Sequence, residues 1–588
     1  MTPRSPTPSI DATMPAASSP ASGRMQIVVP MSGFGERFRR AGYALPKPLI
    51  PVDGRPIIGH VVDMFPGETD FIFVCNADHL AHPDYRMAET LAALCPTGRI
   101  VAIPSHRLGP VHAVMHAADL LDPARPVVVN YCDFSCYWDW SHFVDFVRRT
   151  GCDGAIPAYR GFHPHSLGTT NYAYMREQDG WALDIQEKKP YTDDPMQEHA
   201  SSGTYYFSSA RKMLAAFAEM RRQDLSLGGE FYVSLAYKPL LQQGDAIAVY
   251  ELQHFLQWGT PDDLREYAHW SRAFERLART GRDARAPARG ALVVPMAGLG
   301  ERFARVGYAT PKPLIEVSGR PMAIQAALDL PASAAQAFVL RADMPGCEAI
   351  VDQLTVEFPG ALTPTIASVT EGQACTADIG LQALRGVTGP EAASPVTFGA
   401  CDCGTLFYAA ELQRLLDEQQ ADVVIWAARR HPHAARHPEM YGWVDAQGDA
   451  VRAVSVKKPL ADPANDPIVI GVFTFRSAAV FAQCYERMRA RDGRVNGEFY
   501  LDTCANDALA LGLRCAMLEV DAYFSWGTPN DLKTFEYWQS CFHKLARHPY
   551  TLEADARVPA AARDALARRY RAQAPALPAP LAAREVAA

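Results

Sequence analysis

Two lysines, Lys47 and Lys312, stand in near-identical surroundings 312 − 47 = 265 residues apart. Each lies in a Pro-Lys-Pro-Leu turn ten residues after an arginine, Arg37 or Arg302 (47 − 37 = 10, 312 − 302 = 10), and each arginine closes a Gly-x-Gly-Glu-Arg loop. Gly33 and Gly35, with Gly298 and Gly300, let the backbone approach a phosphate closely, and successive N–H groups there form an anion-binding nest. A guanidinium adds a forked, permanent positive donor suited to a polyphosphate, and a proline-bracketed lysine can return to the same phosphates as a point charge. Alone, a glycine turn after a strand or a lysine in a surface turn has a bland structural explanation; the combination at this spacing points to a polyphosphate ligand. Asp133 ends PVVVNYCD and Asp402 ends PVTFGACD. Each carboxylate would emerge at a strand terminus, where it can serve either as a hard oxygen ligand for Mg²⁺ shared with substrate phosphates or as a helix N-cap.

The elements that must position these groups occur twice. Residues 30–56 align without gaps on residues 295–321, with 20 of 27 positions identical. Downstream landmarks keep nearly the same offset: NYCDF and GACDC, EKKP and VKKP, GGEFY and NGEFY, QWGTPDDL and SWGTPNDL. A duplication of whole domains follows. Runs rich in apolar and β-branched residues (QIVVP, DFIFVC, RIVAIP, PVVVNY and GAIPAY, then ALVVP, AFVLRA, TIASV, PVTFGA and DVVIWAA) alternate with helix-length segments, which predicts two α/β domains with mainly parallel sheets. The Gly-rich loop and the aspartate then fall on one rim, beyond the C-terminal strand edges. The expected organisation is a disordered leader (1–24), domain 1 (25–272), an Ala/Arg/Pro linker (273–289), domain 2 (290–548) and a loosely ordered Ala/Arg/Pro-rich extension (549–588).

Composition limits the partners. With 57 Lys+Arg against 65 Asp+Glu, the net charge of −8 offers no general attraction for nucleic acid or an anionic membrane, so a phosphate site must be local. The 13 cysteines show no CxxC pair or zinc-like spacing and read as reduced thiols; the leader lacks a secretory apolar core, and no run of about 18 apolar residues occurs. A cytoplasmic protein is expected.

The succession of strand, GxGxRF, PKPL and a Gly-Arg-Pro helix start resembles the sugar-phosphate nucleotidyltransferase (NTP transferase) family, over nearly all of both copies. The resemblance implies a Rossmann-like, GT-A-type fold in which Arg37, Lys47, Arg302 and Lys312 neutralise the triphosphate and the charge developing at the α-phosphorus. It implies Mg²⁺ at Asp133 and Asp402, and base recognition near Gly109 and Gly372. For the acceptor it implies Tyr172, Glu187, Lys188 and Gly203 in the first copy, and Tyr441, Gly442, Lys457 and Gly471 in the second.

The sequence departs from the family pattern in two ways. The second metal-binding aspartate before the Gly-Thr-Pro turn is Gln257 in one copy and Ser525 in the other, so either one aspartate with phosphate oxygens and water suffices, or Glu230 and Glu498 of the GEFY segments assist. At the acceptor end Ala173 replaces a glycine and Val456 replaces the glutamate, which makes the second copy the weaker candidate for an ordinary sugar. Trp258, Trp526, His163, His165 and the aromatic run Tyr137–Trp140 read as core or rim packing. The expected reaction transfers NMP from an NTP to a sugar 1-phosphate or phospho-alcohol with release of pyrophosphate, in the setting of cell-surface polysaccharide synthesis. Rival readings are a nucleotide-binding regulator that has lost turnover in one or both copies, and a GT-A glycosyltransferase, which would ordinarily carry an Asp-x-Asp motif.

Overall fold

The computed structural model describes residues 24–280, 289–388 and 394–580. The leader, but for Arg24, residues 281–288 of the expected linker and the last eight residues of the extension lie outside the described residues.

The first copy is built on a ten-stranded mixed sheet. One half is parallel and runs Arg99–Ile103, Phe71–Asn76, Gln26–Met31, Val127–Asn130. Every residue of Gln26–Met31, Phe71–Asn76 and Val127–Asn130 is buried, because helices cover both faces and near-continuous Val, Ile and Phe satisfy both at once. The other half begins where Thr204–Phe207 pairs antiparallel with Val127–Asn130. It continues through Gly154–Tyr159 and Ile247–Glu251 to the hairpin Ala173–Gln178/Trp181–Glu187.

The second half of the chain repeats this order in nine strands: Thr365–Ile366, Ala335–Arg341, Ala291–Pro295, Val396–Phe398, Ile468–Phe475, Val423–Ala428, Cys515–Glu519, Ala450–Ser455, Trp443–Gln447. A single strand, Ile468–Phe475, takes the place of His199–Ser201 and Thr204–Phe207. In each copy a short separate ribbon, Phe134–Tyr137 with His254–Gln257 and Cys403–Leu406 with Ala522–Ser525, holds the Gly-Thr-Pro turn beside the aspartate.

Helix Pro261–Arg279 runs through residues 273–279, which composition assigns to the linker. Phe274 and Leu277 extend the apolar stripe of Leu264, Tyr267 and Trp270 at helical spacing, and the stripe is buried against the equivalent helix Pro529–Lys544 of the second copy. Phe274 meets Phe535 and Phe542 at ring centroids of 5.5 Å each, and Tyr537 exchanges both backbone hydrogen bonds of Phe255 through its hydroxyl (3.0 and 2.9 Å). Residues from 549 onward are likewise ordered over most of their length. Tyr550, Leu552, Val558, Leu566 and Tyr570 are buried, helix Ala560–Tyr570 packs on the second copy, and Trp181 of the first copy donates to the Ala579 carbonyl at 2.8 Å. Wide spacing hides these anchors in an Ala/Arg-rich background.

Candidate active site

The Gly-rich loop leaves its strand and turns directly into a one-turn helix, Glu36–Arg40 or Glu301–Arg305. Gly35 (φ 61°) and Gly300 (φ 66°) occupy the left-handed region that an L side chain adopts only at a cost. Gly33 and Gly298 answer a different need: a Cβ on either would meet nothing within 4 Å, so protein packing does not demand glycine and the loop stays open to a ligand. Arg37 and Arg302 are exposed and have no carboxylate partner among the described residues.

Lys47 reaches back across this loop to Asp133, donating to Oδ2 at 2.7 Å, and Lys312 does the same to Asp402 at 2.5 Å. Both pairs are partly shielded: the lysine and aspartate side chains are 22% and 25% exposed in the first copy and 18% and 30% in the second. Burial pulls each ammonium down, but the adjacent carboxylate outweighs it and the net shift is upward, so both lysines stay charged at neutral pH. The neighbouring thiols of Cys132 and Cys401 are pushed up to about 12 by burial, which makes them poor nucleophiles.

The Gly-Thr-Pro turn closes over the aspartate. The Trp258 N–H donates to the Asp133 carbonyl at 3.0 Å and the Trp526 N–H to that of Asp402 at 2.9 Å. A Cβ on Gly259 would stand 3.3 Å from Asp133 Oδ2 and 3.2 Å from the Gln257 amide nitrogen; on Gly527, 3.2 Å from Asp402 Oδ2 and 3.8 Å from Ser525 Oγ. Asp133 Oδ2 with the Gln257 amide, and Asp402 Oδ2 with the Ser525 hydroxyl, therefore flank the turn glycine in each copy, and in the second copy Asp531 adds a further carboxylate behind Ser525. Such a set fits Mg²⁺ carried in on substrate phosphates, which keeps several waters and needs one or two carboxylates, and it does not fit an all-protein metal cage. No cluster of three His, Cys, Asp or Glu side chains suited to a metal occurs among the described residues.

Gly109 (φ 85°) and Gly372 (φ 138°) are fixed by the GEFY segment: a Cβ there would lie 2.6 and 2.5 Å from the backbone nitrogens of Phe231 and Phe499. Each loop is stitched to that segment by reciprocal backbone bonds, from Phe231 N–H to the Leu108 carbonyl and from Val111 N–H to the Phe231 carbonyl in the first copy. On the far side of the GEFY segment lie the residues expected to meet an acceptor. Lys188 donates to the Tyr232 hydroxyl at 2.5 Å, and Tyr232 to Glu230, so Glu230 is tied to Lys188. Glu187 accepts from Ser234 Oγ at 2.6 Å, and burial raises its carboxyl. Gly203 (φ 97°) lies against Phe134 and Tyr131.

In the second copy Lys457 donates to the Met440 carbonyl, and Gly471 (φ 78°) lies beside Ala400. Glu498 is exposed. Tyr172 is buried and Tyr441 half-buried, and the Tyr441 hydroxyl shares a 2.7 Å hydrogen bond with His433 Nδ1.

Residues 27–192 match the model of the MobA-like NTP transferase domain. The first copy belongs to the NTP transferase family. The match ends within that copy, and the second copy is tied to it by the shared motifs and the repeated strand order. Among curated relatives, the bifunctional protein GlmU of Burkholderia mallei is 36% identical over 230 residues, 37% of this chain and 45% of that protein. The bifunctional protein GlmU of Oceanobacillus iheyensis is 25% identical over 231 residues, 39% of this chain and 47% of that protein. The chain thus spans about half the length of the curated relatives it matches. A nucleoside-diphosphate-sugar pyrophosphorylase from Vibrio cholerae RC9 aligns structurally at 19% identity and a TM-score of 0.35, covering 41% of this chain and 99% of that one. No helix among the described residues is long and apolar enough to cross a membrane.

The NTP transferase domain and its sister copy hold three features that motif reading misses. Asp263 and Asp531 lie beside the Gly-Thr-Pro turn, the first half-buried and the second buried: Asp263 accepts from Thr260, burial raises its carboxyl, and Asp531 accepts from Ser525 Oγ at 3.1 Å. The Thr-Pro-x-Asp spacing gives no hint, because a capping box has the same signature. Second, Lys188 (φ 55°) and Lys457 (φ 57°) both sit in the left-handed region, a strain of about 1 kcal/mol or more that both copies hold at the same place. Third, Asp502 stands within electrostatic reach of Lys457 in the second copy. The tryptophans and histidines set aside as packing are buried: Trp258 and Trp526 at 1% exposure, His163 against Tyr537 and His165 against Tyr172.

Proposed function

We propose that each copy is a nucleotidyltransferase site in which a phosphate oxygen of a phosphorylated acceptor attacks the α-phosphorus of an NTP in line and pyrophosphate departs. The observation that carries this reading is the lysine–aspartate pair, built twice, standing over an open glycine loop beside an arginine without a carboxylate partner among the described residues. Arg37 and Lys47, or Arg302 and Lys312, would neutralise the triphosphate tail as negative charge builds on the leaving group, and Lys188 or Lys457 would place the acceptor phosphate. Asp133 and Asp402 would be the residues that hold Mg²⁺, which would supply positive charge to offset the negative charge building on the phosphates. Gly109 and Gly372 would border the base. A sugar 1-phosphate or a phospho-alcohol is the acceptor class, and supply of an activated precursor for cell-surface polysaccharide is the setting this would serve, in the cytoplasm.

Incubation of the whole protein with Mg²⁺, each NTP and a panel of sugar 1-phosphates and phospho-alcohols, with pyrophosphate as the readout, tests the reaction. Pyrophosphate that appears only with one acceptor and one NTP supports it. Pyrophosphate release undiminished in the Lys47→Ala/Lys312→Ala double variant would overturn the assignment.

A further inference from the structure

The acceptor ends of the two copies differ at three aligned positions, and the fold sets these three positions around one spot. The first copy carries Ala173, Glu187 and Ser234; the second carries Gly442, Val456 and Asp502 (442 − 173 = 269, 456 − 187 = 269, 502 − 234 = 268). In the first copy the acid comes from the sheet wall: Glu187 ends strand Trp181–Glu187 and is held by fully buried Ser234 from the opposite wall. In the second copy the sheet wall offers only Val456, just beyond strand Ala450–Ser455, and the acid stands on the helix wall, at the second residue of helix Leu501–Ala510.

Gly442 makes that exchange possible. A Cβ on residue 442 would stand 2.2 Å from Asp502 Oδ2, so the alanine of the first copy cannot sit beside an aspartate here. The φ angle of Gly442 is not in the left-handed region, so space and not backbone freedom demands the glycine. Conversely Ser234, smaller than an aspartate, leaves room for Ala173 and turns its hydroxyl to Glu187. The three differences thus form one coupled exchange, and the carboxylate lost at residue 456 is present again at residue 502. Asp502 faces Lys457, with Arg302 and Glu498 contributing more weakly to the field at that lysine. Burial pushes the Asp502 carboxyl up to about 6, against the pull of Lys457, so retaining an acid here works against stability and calls for a use.

We propose that Asp502 is the acceptor-gripping carboxylate of the second copy, binding hydroxyls of a phosphorylated polyhydroxy acceptor from the helix wall where the first copy uses Glu187 from the sheet wall. This rests on the nucleotidyltransferase reading of the site. Because the carboxylate approaches from the other side of the acceptor lysine, the hydroxyl pattern read by the second copy differs from that read by the first, and the two copies serve different acceptors.

The test uses full-length protein carrying Lys47→Ala, so that turnover reports the second copy. Adding Asp502→Asn, which keeps the shape and removes the charge, is expected to raise the acceptor KM about 10- to 100-fold, as loss of a charged hydrogen-bond acceptor does, while the NTP KM stays within about twofold. An unchanged acceptor KM overturns the proposal. The triple exchange Gly442→Ala/Val456→Glu/Asp502→Ser returns the carboxylate to the sheet wall and is expected to restore turnover with the acceptor preferred by the Lys312→Ala protein, a result that mere loss of folding cannot produce. If the Lys47→Ala protein releases no pyrophosphate with any acceptor, the nucleotidyltransferase reading of the second copy fails. Calorimetric titration of the same sugar 1-phosphates into the Lys47→Ala and Lys47→Ala/Asp502→Asn proteins then decides on Asp502 alone: weaker binding in the latter sustains its role, and equal or absent binding in both overturns it.

Discussion

The proposed triphosphate ends of the two copies agree group for group, whereas the proposed acceptor ends do not. Arginine, lysine, aspartate and three glycines recur with the same contacts, down to the lysine–aspartate hydrogen bond and the backbone bond from the tryptophan of the Gly-Thr-Pro turn. At the acceptor end the carboxylate changes walls, and the lysine changes its partner from the Tyr232 hydroxyl to the Met440 carbonyl. A polyphosphate presents the same charges to any enzyme, so the residues that neutralise it have few alternatives. An acceptor presents a pattern of hydroxyls, and either wall of a pocket can read it.

The most severe way to probe that likeness is to remove one lysine at a time. Lys47→Ala and Lys312→Ala are each expected to lower turnover of their own copy by about 10²- to 10³-fold, the cost of losing one preorganised charge at the reacting phosphate, measured as pyrophosphate released per copy with its own acceptor. Equal losses support identical triphosphate ends; a loss confined to one variant would show that the other copy contributes no chemistry.

The likeness also breaks at the joint between copies. Arg436 of the second copy pairs with Glu266 of the first, where Glu266 is only 7% exposed, but the positions related to them by the repeat, Gly168 and Thr534, form no reciprocal pair. Arg436→Ala would leave a buried carboxylate whose ionisation burial already opposes. A loss of about 3 kcal/mol is expected, read as a fall in the denaturation midpoint, with Glu266→Gln restoring most of it.

The exchanged carboxylate sets a third contrast, one that depends on pH. The Asp502 carboxyl lies at about 6 in the fold against an ordinary 3.8. A raised acid binds its proton more tightly folded than unfolded, so its ionisation costs stability progressively as pH rises from about 4 to about 6 and at a constant level above that. Asp502→Asn is therefore expected to stabilise the protein by about 2–3 kcal/mol at pH 7–8 and to be near neutral at pH 4, as followed by thermal unfolding at the two values. Ser234, the first-copy counterpart, has no charge to titrate.

Much of this was legible in the sequence, and the reasons differ by residue. Gly35, Arg37, Lys47 and Asp133 lie in short motifs whose chemistry depends on local spacing, and the buried parallel strands announce themselves by unbroken apolar runs. Asp502 could not be read in this way, because its meaning depends on Gly442, sixty residues earlier and on another element (502 − 442 = 60). Asp263 and Asp531 were masked by a second legitimate role as helix caps. The linker boundary was misplaced although its signal was present: Phe274 and Leu277 continue a helical stripe that the Arg- and Ala-rich composition obscures.

Arg37 and Arg302 offer the smallest effect and the sharpest separation of function from stability. Both are exposed, neither has a carboxylate partner among the described residues, and each weakens the charged form of its neighbouring lysine by repulsion. Replacing either with alanine therefore removes a repulsion and no attraction within the protein, so the unfolding free energy is expected to stay within about 0.5 kcal/mol of the parent. The same charge is the one left over for a ligand, and its loss is expected to weaken NTP binding about tenfold, by titration with the nucleotide. If either variant instead lost stability and kept its nucleotide affinity, that arginine would belong to the scaffold of its copy, and the two triphosphate ends would no longer be equivalent.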